Sequence, residues 1–127
     1  MTSLRKFCPR AALLSAVAMA LIPLSAAPAQ AQGSATWYCY VAAESSAPKG
    51  LVVGQVFEWY GEGRPPQNVM ASQFEKISRP EMPSALWPMS NCNKDRSQTE
   101  ASRANKISIY ARQGGAIRQV FYAYEGH

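Results

Sequence analysis

Two cysteines constrain this chain more than any other residues. The sequence holds three, Cys8, Cys39 and Cys92, but Cys8 falls in a segment that reads as an export signal. Arg5, Lys6 and Arg10 give that segment a positive start, and Ala11 to Ile22 is apolar apart from Ser15. Twelve helical residues rise about 18 Å, too short for a bilayer core of about 30 Å but suited to the apolar stretch of a signal peptide. Pro23 ends the run, and Ala29-Gln30-Ala31 offers small residues to a signal peptidase, with Ala27 as an alternative site. Residues 1–31 are therefore expected to be a cleaved secretory signal peptide, and 32–127 a single small domain. A retained anchor is the alternative; no second apolar stretch follows that would support it, and no transmembrane segment is expected in the mature chain.

With the signal removed, Cys39 and Cys92 have only each other. In an oxidising compartment they are expected to bridge. The bridge closes a loop of roughly 50 residues, worth about 4 kcal/mol on chain-entropy grounds. A domain of this size has a modest core and a total stability of about 5–15 kcal/mol, so the bridge is a main support. Two free thiols are the alternative, but the spacing is not Cys-x-x-Cys. Processing also changes the charge. The whole chain has 13 basic and 8 acidic residues, a net of +5; the first 31 residues hold three of the basic ones and none of the acidic, leaving +2. That balance, without any run of like charge, gives little reason to expect nucleic acid as a partner.

Trp37 to Ala43 alternates as a strand, with Trp37, Cys39 and Val41 on one face and Tyr38, Tyr40 and Ala42 on the other. Glu44 to Gly50 reads as a polar turn, and Leu51 to Tyr60 as a second strand in which Gly54 marks a candidate bulge. Val69 or Met70, Phe74 and Ile77 recur at helical spacing and predict a helix over about 69–78, with Asn68 as candidate cap and Arg79-Pro80 as its end. Arg79 to Asn91 holds three prolines and reads as an irregular loop with unusual apolar content. Ser97 and Glu100 form a capping box for a second helix, with Ala101, Ala104, Ile107 or Ser108, and Ala111 as a small-residue stripe toward the sheet and Gly114 beyond its end. The segment 107–112 also alternates, and Gly114-Gly115 would suit a hairpin turn; the cap and the stripe favour helix. Ala116 to Tyr124 reads as a third strand.

The expected fold is α+β: a small three-stranded antiparallel sheet with two helices on one face, in the order β-β-α-α-β, with one disulfide. Cys92 just precedes the second helix, so the Cys39 face should be the covered one. Its core would hold Trp37, Val41, Val53, Phe57, Trp59, Phe74, Ile77, Ile117 and Phe121.

The inventory for chemistry is thin. His127 is the only histidine and Asp95 the only aspartate, so a Ser-His-Asp site would need the last residue as its base. One terminal histidine and two bridged cysteines make no metal cluster, and no cofactor is expected. Gly61-Glu62-Gly63 lacks the context of a nucleotide loop. Glu58 and Glu62 flank Trp59 and Tyr60, the one pairing that resembles the acid pair of a glycan-cleaving hydrolase or lyase; a solvated strand end is the plainer reading.

Two surfaces remain as candidate contacts. One is the sheet face opposite the core, with Tyr38, Tyr40, Tyr60, Arg118, Tyr122 and Tyr124; tyrosine suits a half-wet interface. The other is the proline-rich loop with Leu86, Trp87 and Met89. For each the residues favour a structural alternative, an ordinary or covered sheet face and a Trp87 folded back on the core. The composition points to a small non-catalytic binding protein, periplasmic or secreted, of the inhibitor or accessory type. Its partner would be an unknown protein or a component of the bacterial envelope. The Glu58–Glu62 hydrolase is the second reading.

Overall fold

The structure, a computed structural model, describes residues 33–126. The expected export segment, residues 1–31, and the terminal His127 lie outside the described residues. Seven elements follow in order: β1 (Ser34–Ser46), β2 (Lys49–Gly54), β3 (Phe57–Glu62), α1 (Gln67–Glu81), β4 (Met89–Asn93), α2 (Arg96–Arg112) and β5 (Ala116–Val120). The fold is α+β, as expected, but the sheet has five strands and is mixed.

The long strand β1 organises the sheet. It pairs with β2, β3 and β4, and β5 joins β2. Ala42 pairs with Val53 of β2 and with Met89 of β4, so those strands occupy opposite edges of β1, both antiparallel. The turn from β1 to β2 is only Ala47-Pro48, tighter than the polar loop expected there. β4 lies inside the segment expected to be irregular. Its three prolines leave Met89 to Asn93 free of proline, and Cys39 stands directly opposite Cys92 in the register. The bridge between them is formed, across a sequence separation of 53. Register and disulfide therefore fix β4 together.

The expected single strand Leu51–Tyr60 is two strands. The ladder breaks at Gln55-Val56, and this changes which side chains share a face. Val52 and Phe57 now lie in one cluster although they are five apart. Gln55 uses its side-chain amide as a short piece of strand. Its Nε2 donates to the Tyr122 carbonyl at 2.7 Å, and the Tyr122 N–H donates to its Oε1 at 3.0 Å. The chain past β5 is held by this amide rather than by a ladder, which is why the expected strand 116–124 stops at Val120. Gln55→Ala removes both bonds and leaves two partly buried backbone groups unpaired. We expect it to cost about 2 kcal/mol, measured as the shift in urea midpoint at constant slope.

The helices do not share a face. α1 packs on the side of Cys39, Val41 and Val52, supplying Met70 and Phe74 to a cluster that includes Phe57 and Tyr122. α2 covers the other side, placing Ile107 and Tyr110 against Tyr40, Ala42, Leu51 and Val53. Residues 39–43 and 50–54 are buried throughout, as strands covered on both faces must be. Two members of the expected core, Val53 and Ile117, therefore lie under α2, and Phe121 is 79% exposed.

α1 begins earlier and ends later than its apolar spacing predicts. Pro80 sits in its last turn, where it removes a single backbone donor, and Met82 still donates to Ser78. α2 extends to Arg112, so residues 107–112 are helix. Its N-cap is Asp95, not Ser97: the Asp95 carboxylate accepts from the Ser97 N–H at 3.0 Å. The Ser97 hydroxyl, and after it this N–H, hold the Asp95 carboxyl below its ordinary range. At the other end Gly114 has φ +76°, and the N–H groups of Gly114 and Gly115 return to Ala111 and Tyr110, a Schellman closure.

Candidate functional site

α2 is unusual in what it presents to the sheet. Of the expected stripe, Ala101, Ala104 and Ala111 face solvent, and Ile107 meets the sheet. The sheet side is instead Thr99, Ser102, Arg103, Lys106, Ile107 and Tyr110, spaced by three and four. Most of these residues hold the sheet through polar bonds. The Thr99 hydroxyl donates to the Tyr38 carbonyl at 2.9 Å, and the Tyr40 and Ser102 hydroxyls lie 3.2 Å apart. Arg103 donates to the Gly54 carbonyl at 2.7 Å and to Gln119 at 3.0 Å.

At the C-terminal half of α2 this polar seam opens into a groove of about 530 Å³. Glu44 of β1 lines it. Lys106 donates to one carboxylate oxygen at 2.5 Å and the Tyr110 hydroxyl donates to the other. These two donors hold the Glu44 carboxyl below its ordinary 4.5, Lys106 contributing most, against the opposing effect of partial burial. Burial, then the Glu44 carboxylate, push the Tyr110 phenol up to about 12. Lys49 lies over the Tyr110 ring, 5.7 Å from its centroid, and has no ion-pair partner among the described residues. With Glu44 taken by Lys106, Lys49 leaves the groove with one net positive charge.

The triad makes a pH signature. Below about 4.5 the unfolded chain binds the Glu44 proton more readily than the folded one, so stability falls as pH drops through the folded value. Tyr110 acts in the opposite direction: its contribution is complete below 10 and is lost as pH rises toward about 12. Glu44→Gln should flatten the acid side and shrink the alkaline loss. At neutral pH it should cost about 1 kcal/mol, a charged hydrogen-bond value reduced for exposure. Urea midpoints across pH 3–11.5, at roughly half-unit steps, check both signs.

Beside Glu44 the groove meets an apolar platform. Leu86, Trp87 and Met89 are 66%, 57% and 70% exposed, and with Glu44 they line a hollow of about 310 Å³. Trp87 does not fold back over the core. Three features fix the platform from beneath: Pro88 is fully buried, the Leu86 N–H donates to the Glu44 carbonyl at 2.8 Å, and the disulfide fixes the strand that follows.

The expected tyrosine face is dispersed. Tyr40 is buried under α2, and Tyr38 is half-buried with the Arg96 guanidinium 5.6 Å from its ring centroid. Tyr122 is buried on the opposite side, its ring edge-on to Phe57 and Phe74 and its hydroxyl donating to Gln73 at 2.6 Å. That burial, followed by Glu125 and Tyr124, pushes its phenol up to about 12. Tyr124 is half-buried, while Tyr60 and Arg118 are exposed. The open sheet face expected to gather these tyrosines does not exist, because a helix lies on each side.

Glu58 and Glu62 are both exposed on β3, and Arg96 approaches Glu58 at 3.8 Å. Neither glutamate lines the groove or the hollow described above, and on open strand surface neither stands in a cleft that would hold a sugar ring. Asp95 is occupied as a helix cap. Among the described residues no three His, Cys, Asp or Glu side chains gather as a metal site, and no helix is long and apolar enough to cross a membrane. The groove residues Glu44, Lys49, Lys106 and Tyr110 escaped sequence reading, since Glu44 and Lys106 are 62 positions apart. One signal was present, the polar stripe at helical spacing from Thr99 to Tyr110. The chain matches no protein-family model, and neither curated proteins nor solved structures give a significant match.

Proposed function

We propose that this is a small exported, non-catalytic binding protein of the bacterial envelope or extracellular space, of the inhibitor or accessory type, and that its partner docks on the Leu86–Trp87–Met89 platform beside the Glu44 groove. The carrying observation is the platform itself. Three large apolar side chains stand more than half exposed on a segment held by a buried proline and a disulfide-linked strand. A rigid exposed tryptophan loses little entropy on binding and is the commonest kind of interface anchor. Export is supported by the disulfide, which persists in oxidising compartments. The open, solvent-facing placement of Glu58 and Glu62 favours binding over glycan cleavage.

The test is affinity capture from envelope extract with three forms of the protein. Trp87→Ala with Leu86→Ala should reduce recovery of the specific partner at least about tenfold, a hot-spot loss. Glu58→Gln with Glu62→Gln should leave it unchanged. Loss with the glutamate pair alone would overturn the reading in favour of catalysis.

A further inference from the structure

The sheet ends in three edge strands, β3, β5 and β4. An edge strand exposes unpaired backbone groups and invites another strand, and natural sheets discourage this with charge. β3 carries Glu58 and Glu62, and β5 carries the exposed Arg118. β4 is Met-Ser-Asn-Cys-Asn, with no charged residue, and among the described residues it pairs only with β1. The least defended edge is also the one held most firmly, through the Cys39–Cys92 bridge.

Both flanks of this edge are hollow. On the α2 side, a concavity of about 120 Å³ is lined by Met89, Asn91, Glu44 and Lys106 and continues into the larger groove. On the α1 side, one of about 180 Å³ lies between the first turn of the helix, at Gln67, Asn68 and Ala71, and the Trp87-Pro88 segment. Met89 and Ser90 border both. A strand added to a sheet sends alternate side chains to opposite faces. Backbone bonds then supply affinity, and pockets for alternate side chains supply specificity. β4 offers the edge and a pocket on each side of it.

We propose that β4 receives an extended polypeptide segment of a partner protein as an added strand of the sheet. This deepens the binding reading above and rests on it. The segment's apolar side chains pack on Trp87 and Met89, and an acidic side chain faces Lys49 at the open end of the groove. Charge complementarity decides the acidic choice, because the groove sets two lysines against one carboxylate: Lys106 bonds Glu44, and Lys49 feels it only through space.

The experiment uses the full exported protein, labelled with ¹⁵N, and synthetic seven-residue peptides that alternate leucine or valine with threonine and glutamate. The amides of residues 90–93 should shift and gain exchange protection on titration. Backbone N-methylation blocks ladder bonds from one edge of a strand. Methylating one alternate set of peptide amides should weaken binding at least about tenfold while the other set changes it less than about twofold. Glutamate-to-lysine peptides should bind more weakly at low salt. Met89→Lys puts on β4 the kind of charge the other edges carry, and should weaken binding about tenfold without moving the thermal midpoint.

Equal effects of the two methylated sets, with Trp87 signals still perturbed, would overturn strand addition and leave the platform reading standing. A concentration-dependent dimer abolished by Met89→Lys would assign the edge to a second copy and also overturn it. Absence of any peptide binding, together with unchanged partner capture by Trp87→Ala, would overturn both.

Discussion

Replacing Cys39 and Cys92 together by alanine is expected to lower the unfolding free energy by about 4 kcal/mol and the thermal midpoint by about 20 °C. The first reason is the unfolded chain. A bridge across 53 residues removes much of its loop-closure entropy, and the variant regains it. The second reason is local. Cys39 is fully buried in the α1-side cluster, so the substitution also strips sulfur contacts from a packed region. The consequence should not stop at stability. β4 carries the Trp87–Met89 platform at its start, and one of its ties to β1 is the bridge. Exchange protection at residues 89–93 should therefore fall more than at β2, where the hairpin pairing with β1 is local. Calorimetry of the wild type and the double variant, followed by hydrogen exchange, measures both effects. A midpoint change below about 5 °C would show that burial on both faces holds the sheet without its covalent tie.

Phe74→Ala should cost a comparable amount, about 4 kcal/mol, by leaving a cavity that the rigid surroundings cannot close. Phe74 is fully buried, and its ring lies edge-on to Tyr122 with centroids 5.7 Å apart. Across from it Gly54 approaches so closely that a Cβ there would stand 3.3 Å from the ring. Backbone on one side and Tyr122 on the other leave little freedom to collapse. Tyr122 also packs on Phe57 and anchors the segment after β5 through Gln55 and Gln73. Loss of Phe74 should thus loosen the C-terminal segment before the sheet. The control is Phe121→Ala, 79% exposed, where the change should stay within about 0.5 kcal/mol. Urea titration with an unchanged slope for both variants checks the comparison.

The bridge was legible because, with residues 1–31 read as an export signal, Cys39 and Cys92 had only each other. β1 was legible because Trp37 to Ala43 contains no helix period and no polar interruption. That same lack of interruption carried a further message. A strand with one wet face alternates apolar and polar residues, whereas Cys39 to Ala43 and Gly50 to Gly54 contain no charged residue at all. Such runs mark a sheet buried on both faces. Reading the tyrosines as a wet face placed both helices on one side and left Tyr40 open. The sheet-facing side of α2 is largely polar, so its small-residue spacing points to three alanines that face solvent and only at Ile107 to a residue that meets the sheet.

The candidate site was half legible. Leu86, Trp87 and Met89 stood out as apolar residues among prolines. Their exposure was not readable, because whether a tryptophan points inward depends on what already fills the core, and here Phe74, Tyr122 and Phe57 fill it. The cluster joins Glu44 to Lys106 and Tyr110, 62 and 66 positions away, beyond any local pattern.

By itself the sequence determined the covalent pair, the two helices and the stop of the second at Gly114, the leading strand and the α+β class. Each of these rests on local chemistry: a thiol with one partner, a φ that glycine tolerates, a period of two or 3.6. The tertiary structure decided the parallel entry of β5, the strand drawn from the proline-rich segment and the helix on each face. Those choices depend on which surfaces remain unburied once β1 and its neighbours have met, a property of the packed sheet and not of any one segment.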